Sequence, residues 1–173
     1  MYEFTPKGSN KSTKTAISAL ILGGFAIMLV TMTAENMPFK WALQTAAIAV
    51  IATGILLMTR YVSKGYTYCV EQKDETLDFS VIEMQGKVRI TICRIALSNI
   101  SEVHVLEASE QDKEKTLVAS FKANGQKRFN YCTDFKPEKF IWLVANECGE
   151  NVAVKLNYDE KLCELLTPTE EHD

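Results

Sequence analysis

Residues 15–34 read TAISALILGGFAIMLVTMTA and residues 41–59 read WALQTAAIAVIATGILLMT. The first stretch is twenty residues without a charge and the second is nineteen. At 1.5 Å rise per residue, each covers about the 30 Å hydrocarbon core of a bilayer. Lipid offers no hydrogen bonds to the backbone, so both stretches are expected to be helices. Glu35-Asn36-Met37-Pro38-Phe39-Lys40 lies between them, and Pro38 interrupts the helical ladder. The expectation is a transmembrane hairpin over residues 15–60, with helices at 15–34 and 41–59 and a short outer loop at 35–40.

Working outward, the flanks set an orientation. Lys7, Lys11 and Lys14 precede the first helix, Arg60 and Lys64 follow the second, and the loop carries only Lys40. The excess of cations beside cytoplasmic helix ends predicts a plasma (inner) membrane protein with both termini cytoplasmic. Residues 1–14 then form a cytoplasmic tail. Phe39 and Trp41 fall at the outer boundary and Tyr61 at the inner one, where amphipathic rings prefer to lie. A cleaved signal peptide fits poorly. Met32 stands where cleavage wants a small residue, and the apolar stretch exceeds a signal core of about 7–15 residues.

Small residues mark candidate helix-packing positions: Ala19 and Gly23 in the first helix, Ala46, Ala49, Thr53 and Gly54 in the second. Ala19-x-x-x-Gly23 allows close backbone approach, either within the hairpin or between two copies. Gln44 is the strongly polar exception in the spans. Neither span carries an Asp, Glu, Lys, Arg or His, which argues against an ion pathway or proton relay.

The mean hydropathy near zero averages two unlike parts. Residues 1–60 hold five Lys/Arg and two acids, a balance of +3, whereas residues 61–173 hold fourteen and twenty, a balance of −6. An acidic soluble part argues against nucleic acid, whose phosphates need concentrated positive charge. Cys69, Cys93, Cys132, Cys148 and Cys163 all lie there, an odd number without C-x-x-C spacing. Scattered cysteines of this kind suit a reducing compartment, as small buried hydrophobes.

From Tyr66 the hydrophobic period becomes two. Tyr66, Tyr68 and Val70 alternate with polar neighbours, as do Leu77, Phe79 and Val81, then Val88, Ile90 and Ile92. The rhythm continues at Val103 and Val105, at Leu117, Ala119 and Phe121, and at Phe129 and Tyr131. Such alternation predicts half-buried antiparallel strands. Lys73-Asp74-Glu75, Gln85-Gly86, the charged run Glu110–Lys115 and Asn124-Gly125 are the expected turns, the last with hairpin chemistry. Asp134 to Lys139 is a loop held by Pro137. Residues 138–147 suit either a strand or a helical face, and Val152, Val154 and Leu156 follow as the closing strand. Asp159–Leu166 reads as a short amphipathic helix with acids in its first turn, and 168–173 as a polar tail.

Tyr66-x-Tyr68, Leu77-x-Phe79-x-Val81, Arg94 to Ile100 entering the next strand, and Leu162-x-x-Leu165-Leu166 together form a layout. Behind a two-helix hairpin, that layout resembles the bacterial pleckstrin-homology-like membrane proteins. The resemblance implies a bent antiparallel sheet of seven or eight strands over residues 64–167, closed by one short C-terminal helix. It also implies a scaffold or binding module. Fold alone does not fix function.

His104 lies between Val103 and Val105 on the polar side of its strand and shares that side with Glu102 by parity. A lone His without a constellation reads as a surface residue. No G-x-S-x-G and no Gly-rich phosphate loop is present, so no catalytic, metal or cofactor residue is assigned and no small-molecule substrate is expected. Lys87, Arg89, Lys122, Lys127 and Arg128, with Arg94 nearby, are candidate contacts for a lipid head group or a partner; solvated hairpin faces carry similar charge. The expected function is a membrane-anchored interaction or scaffold module that binds an unknown protein or a second copy. The alternative is a sensor of inner-leaflet lipid.

Overall fold

The computed structural model describes residues 1–8, 11–34, 38–73, 76–147 and 149–167. The expected tail at 168–173, loop residues 35–37, turn residues 74–75 and Cys148 lie outside them. The chain divides into two compact units, Gly8–Lys64 and Met1–Lys7 with Gly65–Asp173.

The first unit is a helical hairpin. Helix α1 spans Lys11–Thr33 and α2 spans Lys40–Met58, with a wider π turn continuing α2 over Thr59–Ser63. Both are long and apolar enough to cross a membrane. Threonine hydroxyls inside them bond to their own helix: Thr53 donates to the Ala49 carbonyl at 2.8 Å and Thr31 to that of Met28 at 2.9 Å. Phe39 enters α2 with φ +56°, and the Lys40 ammonium donates to the Ala34 carbonyl at 3.1 Å, satisfying an orphan acceptor at the end of α1.

The buried positions of α1 are Ile17, Gly24 and Thr31, seven residues apart, and those of α2 are Ala47 and Gly54, also seven apart. That spacing is the seam of a left-handed helix pair. A Cβ on Gly24 would stand 2.6 Å from Ile51 Cγ1, and one on Gly54 would stand 2.5 Å from Ile21 Cγ1. Of the six packing residues expected from sequence, Gly54 lies in this seam. Ala19, Gly23, Ala46, Ala49 and Thr53 are exposed, and a Cβ on Gly23 would meet open space. Because both helices are apolar all round, composition does not mark the contacting side.

Among the described residues, the second unit holds eight strands. β1 (Tyr2–Phe4), β2 (Gly65–Lys73), β3 (Thr76–Gln85) and β4 (Val88–Ala96) form one antiparallel sheet in that order. A short 3-10 turn, Leu97–Asn99, leads into the second sheet, ordered β5 (Ile100–Glu107), β7 (Lys139–Glu147), β8 (Glu150–Asn157), β6 (Lys127–Asn130). The sheets pack face to face: Tyr66, Tyr68, Phe79 and Val81 from the first meet Ile141, Leu143, Val154 and Leu156 from the second. Leu162 and Leu166 of α4 (Glu160–Leu166) complete this core.

Several expectations change here. The single bent sheet is replaced by two four-stranded sheets that do not close into a barrel. The 1–14 tail contributes a strand, with Phe4 opposite Tyr68. Residues 138–147 are strand throughout their apolar run. Leu117–Phe121 is not a strand; α3 covers Gln111–Ala123 and includes most of the charged run that was expected to turn. Its Leu117, Val118 and Phe121 share one helical face and pack on Phe140, Trp142 and Val144, the side of the second sheet away from the main core. Asn124-Gly125 is accordingly a helix stop rather than a hairpin. Gly125 has φ +66°, its amide donates to the Lys122 carbonyl at 3.2 Å, and the Gln126 amide donates to that of Phe121 at 3.0 Å. β6 then runs parallel to β8 instead of forming a hairpin strand.

Candidate functional site

The first sheet has one end at which three chain segments meet. β1 runs antiparallel to β2, so the chain leaves β1 toward α1 beside the point where it enters β2 from α2. Thr5 and Thr67 share a hydroxyl hydrogen bond of 3.0 Å there. β3 returns antiparallel to β2 and brings Met84 opposite Gly65, so the Gly86-Lys87 turn stands at the same end. Gly86, with φ +61°, supplies the left-handed residue that a two-residue hairpin turn needs.

A bulge shapes the strand after that turn. Val81 faces Cys93 and Ile82 faces Thr91, which leaves Ile92 as the extra residue of β4. A one-residue offset exchanges the two faces of a strand. Cys93 and Ile95 thereby share the core-facing side with Val88 and Ile90, which pair with Gln85 and Glu83. Cys93 packs against the core and Ile95 enters it, while Val88, Ile90 and Ile92 stand 56%, 56% and 37% exposed. Sequence alternation marked these three as a half-buried face. The structure leaves them open at the free edge of the sheet, and no local signal announces the bulge.

The candidate cations do not form one cluster. Lys87 occupies the β3–β4 turn and Arg89 follows in β4, its guanidinium 2.8 Å from Glu3 of β1. Arg94 lies 3.7 Å from Glu71. Lys122, Lys127 and Arg128 belong instead to the end of α3 and to β6, and Lys127 lies 3.2 Å from Glu150. Lys87, Lys122 and Arg128 have no ion pair among the described residues.

His104 and Glu102 do meet, 2.8 Å apart, on the exposed side of β5. They border an open apolar groove lined by Leu106, Thr116 and Leu117, but the groove presents neither Ser nor Cys, and the Thr116 hydroxyl already donates to the Asp112 carbonyl at 2.8 Å. A deeper charge pair joins Lys155 of β8 to Glu114 of α3 at 2.5 Å, with the ammonium 3.6 Å from the centre of the Phe140 ring. Cys69 and Cys93 are not poised nucleophiles. Burial pushes both thiols up, Cys93 to about 11 with added repulsion from Glu147. No group of three metal-ligating side chains occurs among the described residues.

Compared with known protein families, curated proteins and solved structures, the chain finds no match.

Proposed function

We propose that this protein is an integral membrane interaction module: α1 and α2 cross the bilayer as a hairpin and hold the two-sheet domain at the cytoplasmic face. The observation that carries this reading is the pairing of Tyr2–Phe4 with Tyr68–Val70. Residues before α1 and after α2 share one sheet, so they lie on one side of any membrane the helices cross. An even number of crossings satisfies that requirement. Lys7, Lys11, Lys14, Arg60 and Lys64 support the cytoplasmic side for this reading. The loop's Lys40 is already used as a cap at Ala34. Free thiols at Cys69, Cys93 and Cys163 suit the same compartment.

The module reading rests on the free sheet edges. β5 ends the second sheet beside the Leu106–Leu117 groove, where an extended segment of a protein partner or a second copy can pair. The resemblance to pleckstrin-homology-like membrane proteins fits the same role. Topology is tested with Pro38→Cys and Ser98→Cys in intact cells and an impermeant maleimide. Labelling is expected at 38 alone; labelling at 98 reverses the orientation. A detergent-solubilised protein that runs as a lone monomer and retains no partner sinks the interaction role.

A further inference from the structure

We infer that the β3–β4 hairpin tip is a second membrane contact, with Val88 and Ile90 entering the interfacial layer of the bilayer that holds α1 and α2 and Lys87 lying among its phosphates. The inference rests on the hairpin reading above and adds to it a lipid-facing surface on the β domain.

Three observations converge on the tip. The first is the exposure of Val88 and Ile90, both 56%, which stand at the turn end of the sheet on the side that carries Tyr66 and Glu83. Two large aliphatic side chains on a free strand edge are a liability unless something covers them. The second is the tether. Only Lys64 separates Gly65 from the last helical turn, Thr59–Ser63, and Met84 is paired with Gly65. Strand spacing puts Met84 about 5 Å from Gly65, and the tip continues about 7–10 Å past it along the strand. The other connection is nearly as short, since Lys7 to Lys11 spans about 14 Å at full extension. Chain connectivity alone therefore leaves Gly65 and its partner Met84 within a few residues' reach of the end of a span.

The third observation is charge. Lys87 projects from the turn without an ion pair among the described residues, inside a domain whose balance is −6 over residues 61–173. A cation beside exposed aliphatics is the composition of interfacial segments, and its long stem lets the ammonium reach the phosphates. Arg89 does not take this part, because Glu3 holds it on the opposite side of the strand. Glu83, opposite Ile90, limits the contact to the tip. A second copy pairing along β4 is the rival occupant; it meets the bulge at Ile92, which breaks the regular edge after four residues.

The test uses the full chain reconstituted in phosphatidylcholine vesicles, with and without phosphatidylglycerol. Benzoylphenylalanine replaces Val88, Ile90 or, as a control at the far end of β3, Leu77. Photolysis is expected to give lipid adducts at 88 and 90 several-fold above those at 77. Lys87→Glu is expected to lower adduct yield at 88 in the anionic vesicles and leave the neutral ones unchanged. Adducts of twice the chain mass at 88 and 90, or lipid yields equal to that at 77, overturn the proposal. Alkaline carbonate extraction separates the two readings. A chain that resists extraction yet gives no lipid adduct at 88 or 90 refutes the tip contact alone, whereas a chain stripped by carbonate refutes the membrane hairpin and the tip contact with it.

Discussion

Tyr2 donates its phenolic hydrogen to the carboxylate of Asp159, 157 positions along the chain, and the same carboxylate accepts the Leu162 amide at 2.9 Å. One side chain thus caps α4 and fastens β1. Asp159→Ala is expected to remove both roles and cost about 2–3 kcal/mol, of which the cap supplies about 1. Tyr2→Phe removes one hydrogen bond, at about 1 kcal/mol. Urea unfolding of the detergent-solubilised chain should show the double variant no worse than Asp159→Ala, because the two residues share one interaction.

The same contact makes a pH prediction. Burial, followed by the hydrogen bond to Asp159 and its charge, pushes the Tyr2 phenol up to about 12. Below pH 10 the phenol keeps its proton in folded and unfolded chains, and the contact contributes fully. Between pH 10 and 12 the unfolded chain releases the proton first, so the contribution is lost as pH rises. The stability gap between the natural chain and Tyr2→Phe should therefore be constant to about pH 10 and shrink toward pH 12. A gap that grows over that window contradicts the assignment.

Neighbouring glycines in α1 should behave oppositely. Gly24→Val drives a side chain into Ile51 and the Ala47 carbonyl, and about 1–3 kcal/mol of hairpin stability should go with it. Gly23→Ala meets open space and should stay within about 0.5 kcal/mol. Gly54→Val repeats the first result from the other helix. Titration with denaturing detergent, followed by circular dichroism, ranks the three.

Thiol chemistry gives a further check. At pH 7.5 maleimide should label Cys93 slowly, since its pKa stands at about 11, and Cys69 is held back by burial as well. The Cys93 rate should rise about tenfold per pH unit until pH nears that value. Peptide mapping by mass spectrometry after timed labelling reads each site. Fast labelling of Cys93 at neutral pH would mean that β4 opens.

The Lys155–Glu114 pair fixes α3 on the second sheet. The Lys155 side chain is 13% exposed, so Glu114→Ala strands a largely buried ammonium at a cost of about 2–3 kcal/mol, reduced from a fully buried pair because Glu114 is partly solvated. Lys155→Met keeps the packing over Phe140 without the charge and should be close to neutral. Thermal unfolding of the two variants distinguishes a pair that stabilises from one that only specifies.

Part of this architecture was legible from residues alone. Apolar length marks α1 and α2, because the hydrocarbon thickness fixes how many residues a span needs. Period-two alternation marks β2, β3 and β8, whereas the run at 140–145, apolar on both faces, leaves strand and helix equally open for β7. α3 was misread because Leu117, Ala119 and Phe121 alternate as a strand would, while the burial that decides the matter falls on Leu117, Val118 and Phe121. The acids at Asp112 and Glu114 and the Lys122 near its end were the available signal. β1 was unreadable, since three residues carry no period and its pairing depends on a strand sixty positions away. The exposed tip was hidden for a related reason. Nothing local in Val88–Ile92 shows that the ladder gains a residue at Ile92, or that Val88 and Ile90, although on the core-facing side, stay exposed at the turn end.

The strand Tyr2–Phe4 is synthesised before both apolar helices, yet its partner β2 and its anchor Asp159 are made only after them. If α1 and α2 cross the bilayer as proposed, β1 waits unpaired while they are threaded into lipid. Contacts of such long sequence separation form late. If either helix fails to insert, Tyr2 and β2 end up in different compartments, and the sheet keeps an open edge for proteases and chaperones to find. On the proposed topology, completion of the domain thereby reports that both helices have crossed.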